Sequence, residues 1–251
     1  MTRLPILFTL LMLTHAQAAD APPGELRQGD CQRPKPGQDL RHCSFSGRNL
    51  PGIDLSSSRL DGVDFINARM PGCRLQNASL SGADLKWATL TDCDLSHATL
   101  DAADLFHATF DGSRLTGASF HRANLFGANL NEVDAEDSRF AHAYMKDVAM
   151  EDGRFNRSDF SQAFMQRAVL IGSQLRGARF NEAVLTGAAL EETDLHNADL
   201  TRALVNGARL DQANLIGADL RDARLTHAVL DGARVEAVRN PPPELRDRVQ
   251  P

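Results

Sequence analysis

The chain has 251 residues, of which 42% are hydrophobic and 24% are charged, and this composition fits one folded unit. It contains one Trp and one Tyr, and its formal net charge is −6. An acidic balance argues against a nucleic acid as partner, because binding to a phosphate backbone requires an excess of basic side chains.

Residues 1–18 have the pattern of a secretory signal peptide. Arg3 gives a positive start, Ile6 to Leu13 lie in an apolar segment, and Ala16-Gln17-Ala18 matches a cleavage site. Cleavage there predicts a mature chain that begins at Ala19 and is periplasmic or secreted. The apolar segment is too short to span a bilayer permanently, so no stable membrane insertion is expected after cleavage. The alternative is the N-terminus of a cytosolic protein.

Residues 19–39 are rich in Pro and Gly, as in Pro22-Pro23-Gly24 and Pro34-Lys35-Pro36-Gly37. This composition predicts an extended lead-in that covers the first part of the following array as an N-terminal cap. An uncovered end would expose a strand edge and a slice of the core, and both promote association with other chains.

Residues 40–235 form an array with a period of five. Every fifth residue from Leu40 to Val235 is apolar, namely 25 Leu, 8 Phe, 4 Met, 2 Val and Ala135, and no insertion breaks the register. The residue two places before each of these is mostly Ala, and Arg48 is the one charged residue at that small position. This period is neither the 3.6 of a helix nor the 2 of a flat strand.

Glycine marks where the chain turns. Of the 18 Gly, 14 lie in the array two places after a large apolar residue. A type II turn requires a positive φ at its third residue, which Gly adopts without steric cost. The chain is therefore predicted to turn after each large residue and to wind into a solenoid with the large side chains along its axis.

Three runs carry a resemblance to a known family: Ala83-Asp84-Leu85-Lys86-Trp87, Ala123-Asn124-Leu125-Phe126-Gly127 and Ala218-Asp219-Leu220-Arg221-Asp222. They match the A(D/N)LXX motif, and residues 40–235 as a whole resemble the pentapeptide-repeat family. The resemblance implies an all-β fold, a right-handed quadrilateral β-helix with four repeats per coil. The array would then have about ten coils and a length of about 48 Å at the usual strand spacing.

Residues 236–251 are predicted to end the array. Asn240-Pro241-Pro242-Pro243 stops the repeat, and the short piece Glu244–Val249 is expected to form a helical turn over the last coil. This tail would act as a C-terminal cap.

The four cysteines have two interpretations. Cys43, Cys73 and Cys93 lie at the small inward position, where a thiol can serve as a compact core residue. An exported chain with an even number of cysteines also permits disulfides. Cys31 with Cys43 would join the lead-in to the first coil, whereas Cys73 and Cys93, twenty residues apart, would lie in adjacent coils. No CxxC motif is present, so a redox role is not expected.

No catalytic motif occurs in the sequence. HExxH, GxSxG, a phosphate-binding loop and a Cys/His metal cluster are all missing, so neither an enzyme nor a cofactor or metal is predicted. His121 and His142 are expected to approach each other on neighbouring coils, where two exposed imidazoles are usually solvated rather than ligands.

Numbering modulo twenty separates the faces of the predicted rod. On one face, acidic residues outnumber their basic neighbours Arg69 and Arg209, and we call this set the acidic face: Asp92, Asp111, Glu132, Glu151, Asp152, Glu191, Glu192, Asp211 and Asp231. A second face alternates in charge from coil to coil, through Asp54, Arg74, Asp94, Arg114, Asp134 and Arg154. Such alternation favours the correct register of neighbouring coils.

A third face carries large apolar side chains in successive coils. This apolar stripe consists of Ile66, Trp87, Phe106, Phe126, Tyr144, Phe164, Val184 and Leu204. A continuous exposed apolar surface of this length exceeds what monomers usually leave in water. The stripe is therefore expected to be covered by a tail, by a second copy in a homodimer, or by another protein.

These observations predict a non-catalytic, exported scaffold that binds a protein through the apolar stripe. The resemblance supplies an alternative, because some family members are acidic, rod-shaped dimers that resemble B-form DNA and bind DNA gyrase. The acidic face supports that alternative, whereas the signal peptide and the short Pro-rich tail argue against it. A carbohydrate-active enzyme is disfavoured, because the unbroken register leaves no loops to build a cleft around paired carboxylates.

Overall fold

The computed structural model describes residues 26–245 of the chain. The predicted signal peptide, its cleavage site before Ala19, and most of the predicted turn over Glu244–Val249 lie outside these residues. None of the helices within the described range is long and apolar enough to cross a membrane.

The described chain is a β-helix with a period of twenty residues. Single-residue parallel bridges join residues twenty apart, from Asp39 and Arg59 at one end to Asp219 and Arg239 at the other. Four five-residue repeats therefore make one coil. Between residues 26 and 245 no α-helix occurs, and the one helical element is a 3₁₀ helix, Pro243–Leu245. The prediction of an all-β solenoid is confirmed at this level.

Each repeat is held by bonds to the coils on both sides. The amide of Phe65 donates to the carbonyl of Asp84 in the next coil at 2.7 Å, and the amide of Arg69 donates to Arg48 in the previous coil at 2.8 Å. A bond within the repeat, from the Ala68 amide to the Phe65 carbonyl at 2.8 Å, closes the turn. The backbone is thus paired along the rod, although within residues 26–245 no strand is longer than one bridge residue.

The turns have the predicted geometry, but glycine is not required for it. The second residue after each large one has a φ between 52° and 70° at every corner from Gly47 to Ala237, and most of these residues are not Gly. Left-handed backbone costs a non-Gly residue about 1–2 kcal/mol. A hydrogen bond between coils offsets that cost, as where the Trp87 amide donates to the Phe106 carbonyl at 2.9 Å.

The large apolar side chains fill the axis as predicted. All of them from Leu40 to Val235 are buried except Leu50, which is partly buried. Four of the phenylalanines, Phe120, Phe140, Phe160 and Phe180, form an inner stack with ring centroids 4.8, 5.0 and 4.9 Å apart. Their rings are nearly parallel, because identical positions in successive coils face the same way.

Hydroxyl groups replace Ala at several small positions without leaving a buried polar group unpaired. The Ser113 hydroxyl donates to the Leu90 carbonyl at 2.6 Å, and the Thr193 hydroxyl donates to the Leu190 carbonyl at 2.7 Å. Buried polar groups need such partners, since an unpaired one costs about 1–3 kcal/mol.

The N-terminal segment, residues 26–39, is attached to the first coil. Gln28 bridges to Asp39, and a disulfide joins Cys31 to Cys43. Arg48 donates through Nη1 to the Cys31 carbonyl at 2.7 Å, and its guanidinium lies 5.2 Å from the centre of the Phe45 ring. These contacts explain why a charged residue occupies a position that is otherwise small and uncharged.

The C-terminal end is covered by the 3₁₀ helix. Leu245 is fully buried and belongs to the same core cluster as Leu230, Val235 and Val238. The buried leucine shields the last coil, which would otherwise expose apolar side chains at the end of the rod.

The alternating charges of the second face lie on bridged residues in consecutive coils. Arg74 donates to Asp54 at 3.0 Å, whereas Arg154 pairs with Glu136 at 2.6 Å instead of with Asp134. As exposed pairs they contribute about 0.2–1 kcal/mol each.

Candidate functional site

The apolar stripe occupies two different positions of the repeat. Ile66, Phe106 and Phe126 follow a large residue directly, Trp87 follows by two, and all four lie at the corner of their coil. Tyr144, Phe164, Val184 and Leu204 instead precede a large residue and lie on the flat side. The stripe therefore shifts sideways between Phe126 and Tyr144.

The structure brings five of these side chains into one set of ring contacts, the aromatic ladder: Trp87, Phe106, Phe126, Tyr144 and Phe164. From Phe106 to Phe164 the successive centroids are 5.4, 6.1 and 5.4 Å apart, and neighbouring planes differ by 12° or less. Trp87 meets Phe106 edge to face at 5.4 Å. The sideways shift thus leaves the ladder continuous, because Phe126 still stacks on Tyr144.

The ladder is open to solvent along its length. Trp87 is 53% exposed and Tyr144 is 42% exposed, while the other stripe residues are half-buried. Backbone bridges from Phe164 to Val184 and from Val184 to Leu204 continue the stripe toward the C-terminal end. Ile66 lies half-buried one coil before the rings begin.

His107 joins the aromatic ladder, although the sequence pattern did not predict it there. Its ring stacks on Trp87 with centroids 4.4 Å apart and planes 11° apart, and it meets Phe106 edge to face at 4.4 Å. The sequence contains the information to place His107, because it is twenty residues after Trp87 and therefore lies directly beside it in the next coil.

The stacking decides which ligands the ladder can accept. The faces of Phe106, Phe126 and Tyr144 are used by one another, so their edges are what solvent meets. A sugar or a nucleobase binds an aromatic side chain through the ring face and finds these faces occupied. Aliphatic and aromatic side chains of a protein can pack against ring edges.

Lys86 and Arg167, two basic residues beside the ladder, are paired with carboxylates. Lys86 Nζ lies 2.7 Å from Asp84 Oδ2 and 3.6 Å from Asp104 Oδ2. Arg167 donates to both carboxylate oxygens of Asp147 at 2.7 Å, and these bonds hold the pKa of Asp147 below its usual range. Local charge is therefore largely balanced, which leaves apolar contact as the main property of the stripe.

The acidic face is less uniform than predicted. Glu191 is buried, 8% exposed, and its carboxylate contacts the Arg209 guanidinium, so it adds little to the exposed surface. Burial raises the pKa of Asp111, and the charges of Glu132 and Asp92 raise it further. Asp92, Glu132, Glu151, Asp152, Glu192 and Asp231 are exposed, and Asp211 is half-buried.

The cysteines form two disulfides, Cys31–Cys43 and Cys73–Cys93. His42 Nε2 lies 3.7 Å from Cys43 Sγ, and together with Cys31 these residues form one group of three potential metal ligands. No metal cluster was predicted from the sequence, because Cys31 is twelve residues from Cys43 and the group is formed only in the fold. The rings of His121 and His142 also meet, with centroids 5.2 Å apart.

Comparisons with known proteins agree with the repeat. Residues 67–140 match a family described as pentapeptide repeat region, and residues 39–77, 123–162, 150–187, 163–202 and 206–239 match the description pentapeptide repeats (8 copies). The comparison with curated proteins gives no match.

Solved structures share the fold. HetL, a pentapeptide repeat protein involved in heterocyst differentiation regulation from the cyanobacterium Nostoc sp. strain PCC 7120, has a TM-score of 0.69 and 28% identity over 76% of this chain and 88% of its own. A trypsin-treated variant of QnrB1, a plasmid-mediated fluoroquinolone resistance protein, has a TM-score of 0.65 and 19% identity over 73% and 92%. Full-length QnrB1 has a TM-score of 0.51 and 18% identity over 74% and 92%.

Proposed function

We propose that this chain, which belongs to the pentapeptide-repeat family, is a non-catalytic scaffold. Its apolar stripe binds another protein. The observation that carries the proposal is the aromatic ladder, which is continuous over five residues and exposed at Trp87 and Tyr144. Exposed apolar patches mark interaction sites, and Trp and Tyr are enriched among the residues that contribute most to binding.

We also propose the finer geometry that the family resemblance implies. The rod is a right-handed quadrilateral of about ten coils, and the twenty-residue spacing of the bridges supports four repeats per coil. In this geometry the stripe from Ile66 to Leu204 is about 34 Å long at the usual strand spacing.

The proposed scaffold is exported, and the support is the signal-peptide pattern of residues 1–18. Cell fractionation with N-terminal sequencing tests this part. A chain that begins at Ala19 outside the cytoplasm agrees with the proposal, whereas a cytosolic chain that begins at Met1 contradicts it.

A paired charge substitution tests the stripe itself. Phe126→Asp combined with Phe164→Asp places two carboxylates on the ladder, and the fold is expected to survive because neither residue belongs to the axial core. The matched control is Thr99→Asp with Gln174→Asp, which adds the same charge at outward bridge residues of other faces.

The readouts separate a foreign partner from a second copy. Sedimentation reports the homodimer, and photo-crosslinking from position 144 in intact cells reports a heterologous partner, with position 99 as the control site. The stripe variant is expected to lose the dimer or the crosslink while the control variant keeps it. If both variants behave like the parent chain, the stripe is not an interface.

The second candidate is a DNA-mimicking protein that binds DNA gyrase through the acidic face. Its support is the exposed row that includes Asp92, Glu132, Asp152 and Glu192, and the burial of Glu191 weakens it. Inhibition of gyrase supercoiling by the purified chain, lost on neutralising Glu132 and Asp152, would favour this candidate. It also requires that the chain stays in the cytoplasm.

A further inference from the structure

The junction between the N-terminal segment and the first coil holds a group of thiol and imidazole side chains. One ligand atom from each of Cys31, His42 and Cys43 can be chosen so that all three lie within 4.8 Å of one another. His42 is exposed, Cys31 is half-buried and Cys43 is 6% exposed, so the group can be reached from solvent on one side.

The separation of His42 from Cys43 is close to that of two ligands on a tetrahedral zinc. With Zn–S near 2.3 Å and Zn–N near 2.05 Å, a thiolate and an imidazole nitrogen on one zinc are about 3.5 Å apart. His42 Nε2 lies 3.7 Å from Cys43 Sγ, which is close to that separation before any movement. Two thiolates on one zinc are about 3.8 Å apart, so the metal and the disulfide exclude each other.

His42 also departs from the rule that the other corners follow. From Gly47 to Ala237, the second residue of each corner has a positive φ. His42 lies at the equivalent place in the first coil, and its φ is not positive. The turn bond from the Cys43 amide to the Leu40 carbonyl is kept at 2.8 Å. The changed backbone accompanies the approach of the His42 ring to the sulfur.

We propose that, after reduction of the Cys31–Cys43 disulfide, Cys31, His42 and Cys43 bind one Zn²⁺. A dithiol reductant supplies two electrons and two protons, which breaks the S–S bond, gives two thiols and converts the dithiol to its own disulfide. Zinc binding then releases both thiol protons, the neutral His42 ring donates a nitrogen lone pair, and water takes the fourth position.

The second disulfide does not offer the same chemistry. Cys73 and Cys93 are 1% and 2% exposed, and no third ligand residue groups with them among residues 26–245. The consequence of the proposal is that the N-terminal segment stays attached in both redox conditions. A covalent bond holds it when the thiols are oxidised, and a metal holds it when they are reduced.

Cobalt serves as the probe, because Co²⁺ bound to thiolates absorbs strongly in the near ultraviolet and its visible bands report tetrahedral geometry. The purified chain is reduced with a phosphine, titrated with Co²⁺, and then back-titrated with Zn²⁺. We expect one Co²⁺ per chain with two thiolates, displaced by Zn²⁺, and no thiolate band before reduction.

Three variants locate the site. His42→Ala is expected to weaken Co²⁺ binding by more than the 10- to 100-fold that loss of an outer-sphere partner costs, whereas the control His121→Ala leaves binding unchanged. Cys73→Ser with Cys93→Ser also keeps binding, because the ligands are elsewhere. A missing band in the reduced chain, or binding that survives His42→Ala at full strength, overturns the proposal. Circular dichroism checks that every variant is folded.

Discussion

Two aromatic columns run along this protein, the inner stack and the aromatic ladder. Both repeat every coil, and their parallel rings are 4.8–5.0 Å apart inside and 5.4–6.1 Å apart outside. The inner rings are fully buried, whereas Trp87 and Tyr144 of the ladder are about half exposed. The same stacking therefore occurs in two environments.

The difference shows which aromatic residues the fold needs. A buried ring fills volume that no other group would fill, and removing it leaves a cavity along the axis. An exposed ring on the ladder fills no such volume, because the coil below it is closed by the large residues. The ladder is thus free to serve binding, and the following experiments test that distinction from the largest expected effect to the smallest.

Phe140→Ala is expected to have the largest effect on the free energy of unfolding. The ring contacts Phe120 and Phe160 and is fully buried, so truncation should destabilise the chain by about 3–5 kcal/mol. Urea denaturation measures the loss. Phe140→Leu introduces the residue found at most large positions, and its loss of stability should be smaller than that of Phe140→Ala. A loss below about 1 kcal/mol for the alanine variant would contradict the cavity argument.

Gly153→Ala tests how tightly the inside is filled. A Cβ at this position would clash with Phe155 Cε2, so the ring must move, and overpacking of this kind costs about 1–3 kcal/mol. Thermal unfolding should show the loss in the single variant and recovery when Phe155→Leu is added. Equal losses in both backgrounds would mean that the ring is not the obstacle.

Phe126→Ala on the ladder should destabilise the chain by about 0.5–1.5 kcal/mol, the usual value of an aromatic pair. Phe126 stacks on Phe106 and Tyr144, but one side of the ring faces solvent, so its removal leaves no buried cavity. Denaturation under the conditions used for Phe140→Ala gives the direct comparison. A loss as large as that of Phe140→Ala would assign the ladder to the fold and remove the main reason to regard it as an interface.

Asp111→Asn is expected to change the free energy of unfolding least. It tests whether an outward carboxylate is always well solvated. Burial raises the pKa of Asp111 above its ordinary 3.8. The folded state therefore favours the protonated carboxyl, and this favourable contribution is lost as pH rises from 3.8 through the raised value. The Asn variant should be more stable near neutral pH, by less than about 1 kcal/mol, and equal to the parent at acid pH. A destabilised variant at neutral pH would contradict the assigned direction.

The periodic part of the structure could be predicted from the sequence. The five-residue period identifies the axial residues and the corners, because each repeat meets the same local environment. Leu50, in the first coil, is the exception, because it is only partly buried. The positive φ of non-Gly corners such as Trp87 could not be read from glycine positions, since bonds between coils impose it.

The sequence predicted which face of the rod carries the candidate site, but not the contacts between its side chains. Residues of the apolar stripe were found by numbering, and His107 was overlooked because its polarity conceals its stacking on Trp87. Glu191 was placed on the surface because its repeat position faces outward, and its pairing with Arg209 depends on side-chain conformation. The sequence showed Arg48 only as a charged residue at a small position. Its hydrogen bond to the Cys31 carbonyl, which holds the N-terminal segment, is seen only in the structure.

The twenty-residue coil also determines which changes of length this protein can accept. An insertion of one full coil would lengthen the rod by about 4.8 Å and keep every column aligned. An insertion of a single repeat between Phe126 and Tyr144 would instead turn the distal half by a quarter of a revolution. The aromatic ladder would then be divided between two sides of the rod, although every repeat would still fit the motif.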